Sequence, residues 1–230
     1  MHKLTKYILP ALLFILVSGT VCRAEGNLPY VDQKLIHFGF SLGINAMDFG
    51  VTPRDSARVS TLKPGFSVGI ISDLRLNRYL NLRFTPTLHF GERELLYPFK
   101  TGNYSSNSVK ISSIPICLPI YLKYSAERTG NYRPYLIFGG GVSYDLGTNS
   151  SSENPVLLKP IDFYTEFGVG CDIYFSFFKL APELKYSIGY NDMFTPANKR
   201  GSSISNNQER FSTALSRLTS RMLTLTFNFE

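Results

Sequence analysis

The chain has 230 residues, enough for one ordinary domain, and carries a formal net charge of +7 with 14 Tyr, 18 Phe and no Trp. The basic excess contains no run of Lys and Arg, so it gives no support for a nucleic-acid partner. After residue 24 no apolar run approaches the length of a spanning helix, which excludes a helical membrane protein. An aromatic-rich, helix-poor composition is typical of a β-protein at an interface.

Residues 1–24 have the pattern of a secretory signal peptide. Two lysines precede the apolar stretch Tyr7–Val17, and small and polar residues lead to predicted cleavage after Ala24. Lipoprotein processing before Cys22 is the alternative, but Val21 stands where a small residue is usual. Cleavage after Ala24 removes three cations and no acid, and so lowers the net charge from +7 to +4.

Period-two alternation of apolar and polar residues marks eight segments after residue 33, which predicts half-buried β-strands. Long connections alternate with short turns between them, as in bacterial barrels with short periplasmic turns and long external loops. We therefore predict an all-β fold for residues 34–230: an eight-stranded antiparallel transmembrane β-barrel of up-and-down topology in the outer membrane. Residues 25–33 form a periplasmic lead-in. The predicted strands are Lys34–Asn45, Gly65–Leu76, Tyr79–Phe90, Ser113–Tyr124, Tyr132–Tyr144, Phe163–Tyr174, Phe178–Tyr190 and Arg221–Phe229.

A soluble β-sandwich is the alternative for the same strands. One face of each strand carries large apolar side chains such as Phe38, Phe84 and Phe138, and the other face carries Gly, polar and charged residues. A sandwich buries the apolar faces between two sheets, whereas a barrel turns them toward lipid. The alternation does not itself say which face points outward. The many small residues on the polar face favour the barrel, because a lumen of eight strands is only wide enough for side chains.

Inside such a barrel the charged residues of the polar faces must pair, which predicts a plugged lumen. Cys117 and Cys171 fall on opposite faces and are expected to be free thiols. Aromatic residues are predicted at both membrane interfaces, and the prolines within strands at bulges or rims. The predicted interior polar network comprises Asp73, Arg75, Arg83, His89, Lys123, Arg133, Glu166, Asp172, Lys179, Glu183 and Lys185.

The sequence gives no support for catalysis, a cofactor or a metal. His37 and His89 are predicted to be hydrogen-bonded structural residues of the interior, since no Cys or carboxylate stands near them at ligand spacing. Gly139–Gly141 and Gly168–Gly170 precede no helical pattern and no Lys-Ser/Thr pair, so no phosphate-binding loop is indicated. We therefore expect a protein that is not an enzyme.

Several motifs resemble the PorT family of outer-membrane proteins. Asn27–Lys34, running into His37–Phe40, resembles the start of the mature PorT proteins. The resemblance extends over nearly all the chain after residue 24, and the N-terminal motif is its most specific part. The later motifs are Ile114–Ile116 with Leu118-Pro119 and Leu122–Tyr124, Arg133–Tyr135 before Gly139–Gly141, and Pro182–Ser187.

The resemblance implies an accessory barrel of the type IX secretion system of Bacteroidetes, needed to export proteins with a C-terminal sorting domain, such as secreted proteases. The implied partners are other type IX components in the outer membrane. Basic residues in the predicted external loops, such as Arg54 and Lys199, also suit lipopolysaccharide. An adhesin acting through its loops and a small-solute channel are the alternatives. The candidate partner-contact segment of the lead-in comprises Asn27, Pro29, Tyr30 and Asp32.

Overall fold

The computed structural model describes residues 27–28, 31–52, 58–59, 63–96, 108–147, 159–193 and 217–230. The predicted signal peptide, Pro29 and Tyr30, and the middle of each long connection lie outside the described residues. Among the described residues no helix is long and apolar enough to span a membrane. The described elements are a 3-10 helix, Val31–Gln33, followed by β1 (Ile36–Thr52), β2 (Arg58–Val59), β3 (Pro64–Arg75), β4 (Leu80–Phe84), β5 (Thr87–Leu96), β6 (Ser108–Ser113), β7 (Pro115–Ser125), β8 (Tyr132–Asp145), β9 (Ile161–Tyr174), β10 (Lys179–Gly189) and β11 (Arg217–Phe229).

The strands form an antiparallel sheet that closes on itself. β1 pairs with β3 on one side and with β11 on the other, so the first and last barrel strands meet. β4 and β5 form one barrel strand across Pro86, β6 and β7 form another across Ile114, and the short β2 pairs with the end of β5. The chain is therefore an eight-stranded, closed, antiparallel β-barrel, as the alternation predicts.

Strand register sets the tilt of the barrel. A path that starts at Phe38 of β1 and steps from each residue to its paired residue on the next strand returns to β1 at Asp48. The stagger around the closed sheet is therefore ten residues. Eight strands with a stagger of this size tilt by about 40° and enclose a lumen that side chains can fill. The circuit passes through Ser72, Phe84, Ile120, Gly140, Thr165, Ile188 and Arg221.

The prolines do not form the bulges that the sequence led us to expect. β3 keeps a single register with β4 and β5 on both sides of Pro86, and Pro119 pairs with Gly141 within an unbroken ladder. A proline removes one ladder donor but adds no residue, so the register survives. The Pro86 carbonyl still accepts a 3.0 Å hydrogen bond from the Ile70 amide.

The large apolar side chains point outward. Along β7 the even-numbered residues from Ile116 to Tyr124 are exposed and the odd-numbered residues are buried. Phe38 and Phe138, on β1 and β8, are 71% and 62% exposed. A sandwich would bury these rings, so its arrangement is excluded. Cys117 faces the interior, Cys171 lies on the opposite face of the wall, and both are free.

Aromatic side chains cluster outside the barrel near both ends of the strands. Phe40 stacks on Phe229 and Phe178 stacks on Phe175, with ring centroids 4.9 and 5.0 Å apart. At the opposite end Phe90, Tyr144 and Tyr190 are exposed, as the sequence predicts. Rings at these two levels fit the girdles of an outer-membrane barrel.

Several strands continue past their predicted ends at the end of the barrel that carries the long connections. β1 continues to Thr52, β5 to Leu96, and β11 begins at Arg217. Outside the lipid a strand no longer needs an apolar face, so the alternation that locates strands in the sequence fades while the backbone pairing continues.

A charged residue on the middle of the outer wall should destabilise the protein in lipid. Ile120→Arg is expected to lower the free energy of unfolding in lipid vesicles by about 2–4 kcal/mol, because Ile120 points outward at mid-strand. The matched variant Ser112→Arg, on the outward face of β6 near the long-loop end, should cost less than about 1 kcal/mol. Equal costs in a urea titration of the two variants would contradict a lipid-facing wall.

Candidate functional site: the barrel interior and its short-turn rim

Short turns mark one end of the barrel. They join β3 to β4, β7 to β8 and β9 to β10. The long connections emerge at the other end. In bacterial barrels the short turns face the periplasm, which places residues 27–28 and 31–33 on the periplasmic side.

Arg83 of β4 lies at the centre of a buried ion-pair network. Its guanidinium lies 2.7 Å from a carboxylate oxygen of Asp73, 2.7 Å from one of Glu230 and 3.3 Å from one of Glu183. The Arg83 side chain is 1% exposed. A buried charge of this kind is tolerated because each partner is ionised and hydrogen-bonded.

Three lysines form ion pairs with two of these carboxylates, Glu230 and Glu183, and with two more. Lys179 lies 2.6 Å from Glu230, and Lys123 lies 2.8 Å from Asp172. Lys185 contacts both Glu183 and Glu166, at 3.3 and 3.6 Å. We call this set the charged layer: Asp73, Arg83, Lys123, Glu166, Asp172, Lys179, Glu183, Lys185 and Glu230.

Two tyrosines complete the charged layer. The Tyr135 hydroxyl donates to Glu183 at 2.7 Å and the Tyr121 hydroxyl donates to Glu166 at 2.9 Å. The Lys123 ammonium lies 4.0 Å from the centroid of the Tyr135 ring. The Tyr135 ring occupies the space where a side chain at Gly170 would project, so this glycine makes room for the ring. Side chains thus fill the short-turn half of the lumen.

The half of the lumen nearer the long loops is less tightly paired. His89 is buried, and its Nδ1 lies 2.9 Å from the Ser67 hydroxyl. Arg93 donates to the Ser220 hydroxyl at 3.0 Å and stacks over the Phe49 ring. Within the described part of the chain, Nε and Nη1 of Arg93 have no hydrogen-bond partner, and Arg93 lines a cavity of about 20 Å³. This volume accommodates a water molecule.

The structure separates the predicted interior residues into three groups. Arg75 and Arg133 were expected in the interior network, but they lie below it at the short-turn rim. Arg75 donates to the Asn77 carbonyl, and Arg133 donates to the Ala126 carbonyl. His89 lies above the charged layer, and the other eight predicted residues belong to the layer itself, in the ion pairs given above.

The predicted network omits three residues that belong to the charged layer or donate hydrogen bonds to it. Tyr121, Tyr135 and Glu230 follow the same alternation as the inward residues of their strands, so the period of two could have found them. Glu230 was overlooked because it follows the last strand residue. Its amide still pairs with the Lys179 carbonyl, and its side chain reaches Arg83.

The residues before β1 bind back onto the rim. We call residues 27–28 and 31–33 the N-terminal strap. The Asp32 carboxylate accepts a 2.6 Å hydrogen bond from the Tyr174 hydroxyl and lies 3.4 Å from Arg133 and 3.5 Å from Arg128. The Asn27 amide donates to the Asn131 side chain at 2.8 Å. Of the predicted partner-contact residues, Asn27 and Asp32 therefore contact the barrel itself.

A second group of charges lies on the outer side of the same rim. The Tyr79 hydroxyl donates to Glu127 at 2.9 Å, and Arg78 lies 3.3 Å from the same carboxylate. This hydrogen bond raises the pKa of Tyr79, because ionisation would remove the donor and place two negative charges together. The described part of the chain contains no cluster of three His, Cys, Asp or Glu side chains that could hold a metal ion.

Residues 27–195 match the family described as Outer membrane protein beta-barrel domain, so the chain belongs to this family of bacterial outer-membrane barrels. No curated protein matches the chain in sequence.

Three solved structures are similar over most of their length. Neisserial surface protein A is 12% identical, covers 85% of this chain and 98% of its own, and has a TM-score of 0.42. OprG from Pseudomonas aeruginosa is 10% identical, with coverages of 84% and 92% and a TM-score of 0.46. Ail of Yersinia pestis, solved with the heparin analogue sucrose octasulfate, is 10% identical, with coverages of 84% and 96% and a TM-score of 0.38. These similarities are too weak to bear on function.

Removing the central cation should strongly destabilise the barrel. Arg83→Met leaves three carboxylates without their shared partner, and we expect a loss of about 3–5 kcal/mol in the free energy of unfolding. The control Arg78→Met breaks an exposed ion pair and should cost less than about 1 kcal/mol. Urea titration in lipid vesicles compares the two variants. A loss at Arg83 no larger than the loss at Arg78 would show that the charged layer is not tightly paired.

The filled lumen should not conduct ions. Purified protein inserted into a planar lipid bilayer is expected to show no steady conductance, because paired charged side chains occupy the interior of a lumen only wide enough for side chains. An open porin in the same bilayer is the positive control. Reproducible conductance steps from the protein would mean that the layer opens, and would favour the channel alternative.

Proposed function

We propose that this barrel is an accessory component of the type IX secretion system, needed for the export of proteins that carry a C-terminal sorting domain. It acts by contacts with other secretion components in the outer membrane and not by catalysis. The filled lumen is the observation that supports this mode of action. Cargo proteins cannot pass through an eight-stranded barrel whose interior is occupied by paired side chains.

The assignment to this secretion system is supported by motifs that resemble the PorT family. The most specific motif, Asn27–Lys34, includes the strap that binds to the short-turn rim through Asp32. A role in secretion through contacts is compatible with this rim, since cargo and other components approach the barrel from the periplasm. The apolar outer wall and lipopolysaccharide around it are further contact surfaces for this role.

An external binding role is the second candidate, and one observation favours it. β5 and β6 pair as far as Leu96 and Ser108, and on the outward face of β5 the exposed Phe90 is followed by the exposed Glu92. This ribbon therefore continues beyond the apolar band, where it can meet ligands outside the cell. An adhesin would use such a ribbon together with the long connections.

A gene deletion tests the proposal. We expect cargo with a C-terminal sorting domain to accumulate in the periplasm and secreted protease activity to fall in the medium, with both restored by the intact gene on a plasmid. Normal secretion in the deletion strain would contradict the proposal. A matched complementing variant, with residues 194–216 replaced by a short Gly-Ser linker, separates the two candidates. If the protein serves secretion, this loop variant restores export in the deletion strain. If the protein is an adhesin, export is normal in both the deletion strain and the complemented strain, and the loop variant fails to restore surface binding.

A further inference from the structure

The strap and the rim residues beneath it have the geometry of a peptide bound in a receptor. The rim contributes Arg128 and Asn131 from the turn after β7, Arg133 from the start of β8 and Tyr174 from the end of β9. We call these four residues the rim receptor. The strap offers them a carboxylate, two main-chain carbonyls and one main-chain amide. These groups occur in any acidic peptide.

Main-chain groups of the strap are bound directly. Arg128 donates hydrogen bonds to the carbonyls of Asn27 and Leu28, the second at 3.2 Å. The Asn27 amide donates to Asn131, and its side-chain amide donates to the Tyr174 carbonyl at 3.1 Å. Contacts of this kind recognise the path of a peptide chain more than its side chains.

The rim receptor is held in place by contacts that do not involve the strap. Nε of Arg128 donates to the Gly130 carbonyl at 2.8 Å, and its guanidinium lies 3.7 Å from the centroid of the Tyr174 ring. Nε of Arg133 donates to the Ala126 carbonyl at 3.0 Å. Nη2 of Arg133 donates to the Arg78 carbonyl. These contacts orient Nη1 of Arg133 and both outer nitrogens of Arg128 toward the strap position without help from the strap. A preorganised receptor of this kind binds a replacement peptide at low entropic cost.

The strap itself is held in a strained conformation. Leu28 has a φ of 54°, in the left-handed region that a residue with a branched side chain rarely adopts. The Arg128 hydrogen bond to the Leu28 carbonyl fixes the chain there. A peptide that met the same groups without this strain would compete well with the strap.

We propose that the strap is an autoinhibitory segment and that the rim receptor binds an acidic segment of a periplasmic protein when the strap is displaced. The charge of the site selects this partner, because displacement of Asp32 leaves two arginines without their carboxylate. The inference goes beyond the secretion proposal and stands independently of it, since it concerns only the rim and its own strap.

The first measurement is hydrogen exchange on the full mature protein in lipid nanodiscs. Asp32→Asn removes the charge that faces Arg128 and Arg133, so the amides of Val31 and Lys34, which donate to strap carbonyls, should exchange about tenfold faster than in the wild type. Glu127→Gln, an exposed acid on the same rim, is the matched control and should leave this exchange unchanged. Unchanged exchange in Asp32→Asn would overturn the proposed latch.

The second measurement is the binding of a fluorescent peptide with the sequence of residues 25–34 of this chain, followed by anisotropy. The apparent Kd should be about tenfold lower for Asp32→Asn than for the wild type, because weakening the strap increases the fraction of open receptor. A peptide with Asn in place of the aspartate should bind more weakly, and Arg128→Gln added to Asp32→Asn should abolish binding. Equal affinity for the two proteins, or no binding to a variant whose strap exchanges freely, would overturn the receptor. Neither result depends on whether the barrel serves secretion.

Discussion

The closure of the sheet between β1 and its two neighbours is the constraint on which the rest of the structure depends. Backbone amides and carbonyls inside a bilayer have no water to bind, so the sheet must pair its first strand with its last. Once closed, each strand has one face toward lipid and one toward the lumen. The apolar face is then required outside, and every charged side chain on the other face must find its partner within a narrow interior.

The charged layer is the solution to that second requirement. Four cations and five carboxylates lie on five of the eight barrel strands and on the residue after β11, so the network connects distant parts of the chain. Glu230 follows β11 directly, and its carboxylate connects the end of that strand to Arg83 of β4 and Lys179 of β10. The same pairing that stabilises the interior also blocks it. Under our proposal the barrel therefore acts through contacts at the rim, the wall or the loops.

The sequence predicts well which face of a strand a residue occupies, but it predicts poorly the position of that residue along the barrel axis. A period of two says which residues share a side of the wall, and it correctly put Cys117 and Cys171 on opposite faces. The small residues of the polar face, and not the period, led to the prediction that Phe138 points outward. The period says nothing about the level of a residue along the barrel axis, which depends on the ten-residue stagger between distant strands. For this reason Arg133, which has an inward-facing position, was assigned to the interior network although it lies at the rim.

The strap was even less accessible to sequence reasoning. Its contacts depend on the left-handed conformation of Leu28 and on the turn that carries Arg128. Neither feature produces a periodic pattern of apolar and polar residues in the sequence. The resemblance to a known family marked the segment as notable but not what it binds. The bulge expectation for Pro86 was wrong because a proline removes a donor without adding a residue, so the pairing register stays the same on both sides of it.

The orientation of the two faces of the wall can be measured directly on β7. Single spin labels at each position from Ile116 to Lys123, in protein lacking its native cysteines and reconstituted in vesicles, report accessibility to oxygen dissolved in lipid. We expect maxima at the even-numbered positions and minima at the odd-numbered ones, in phase with the exposure of Ile116, Leu118 and Ile120. The opposite phase, or uniform low accessibility at all eight positions, would contradict a lipid-facing apolar wall around a filled interior.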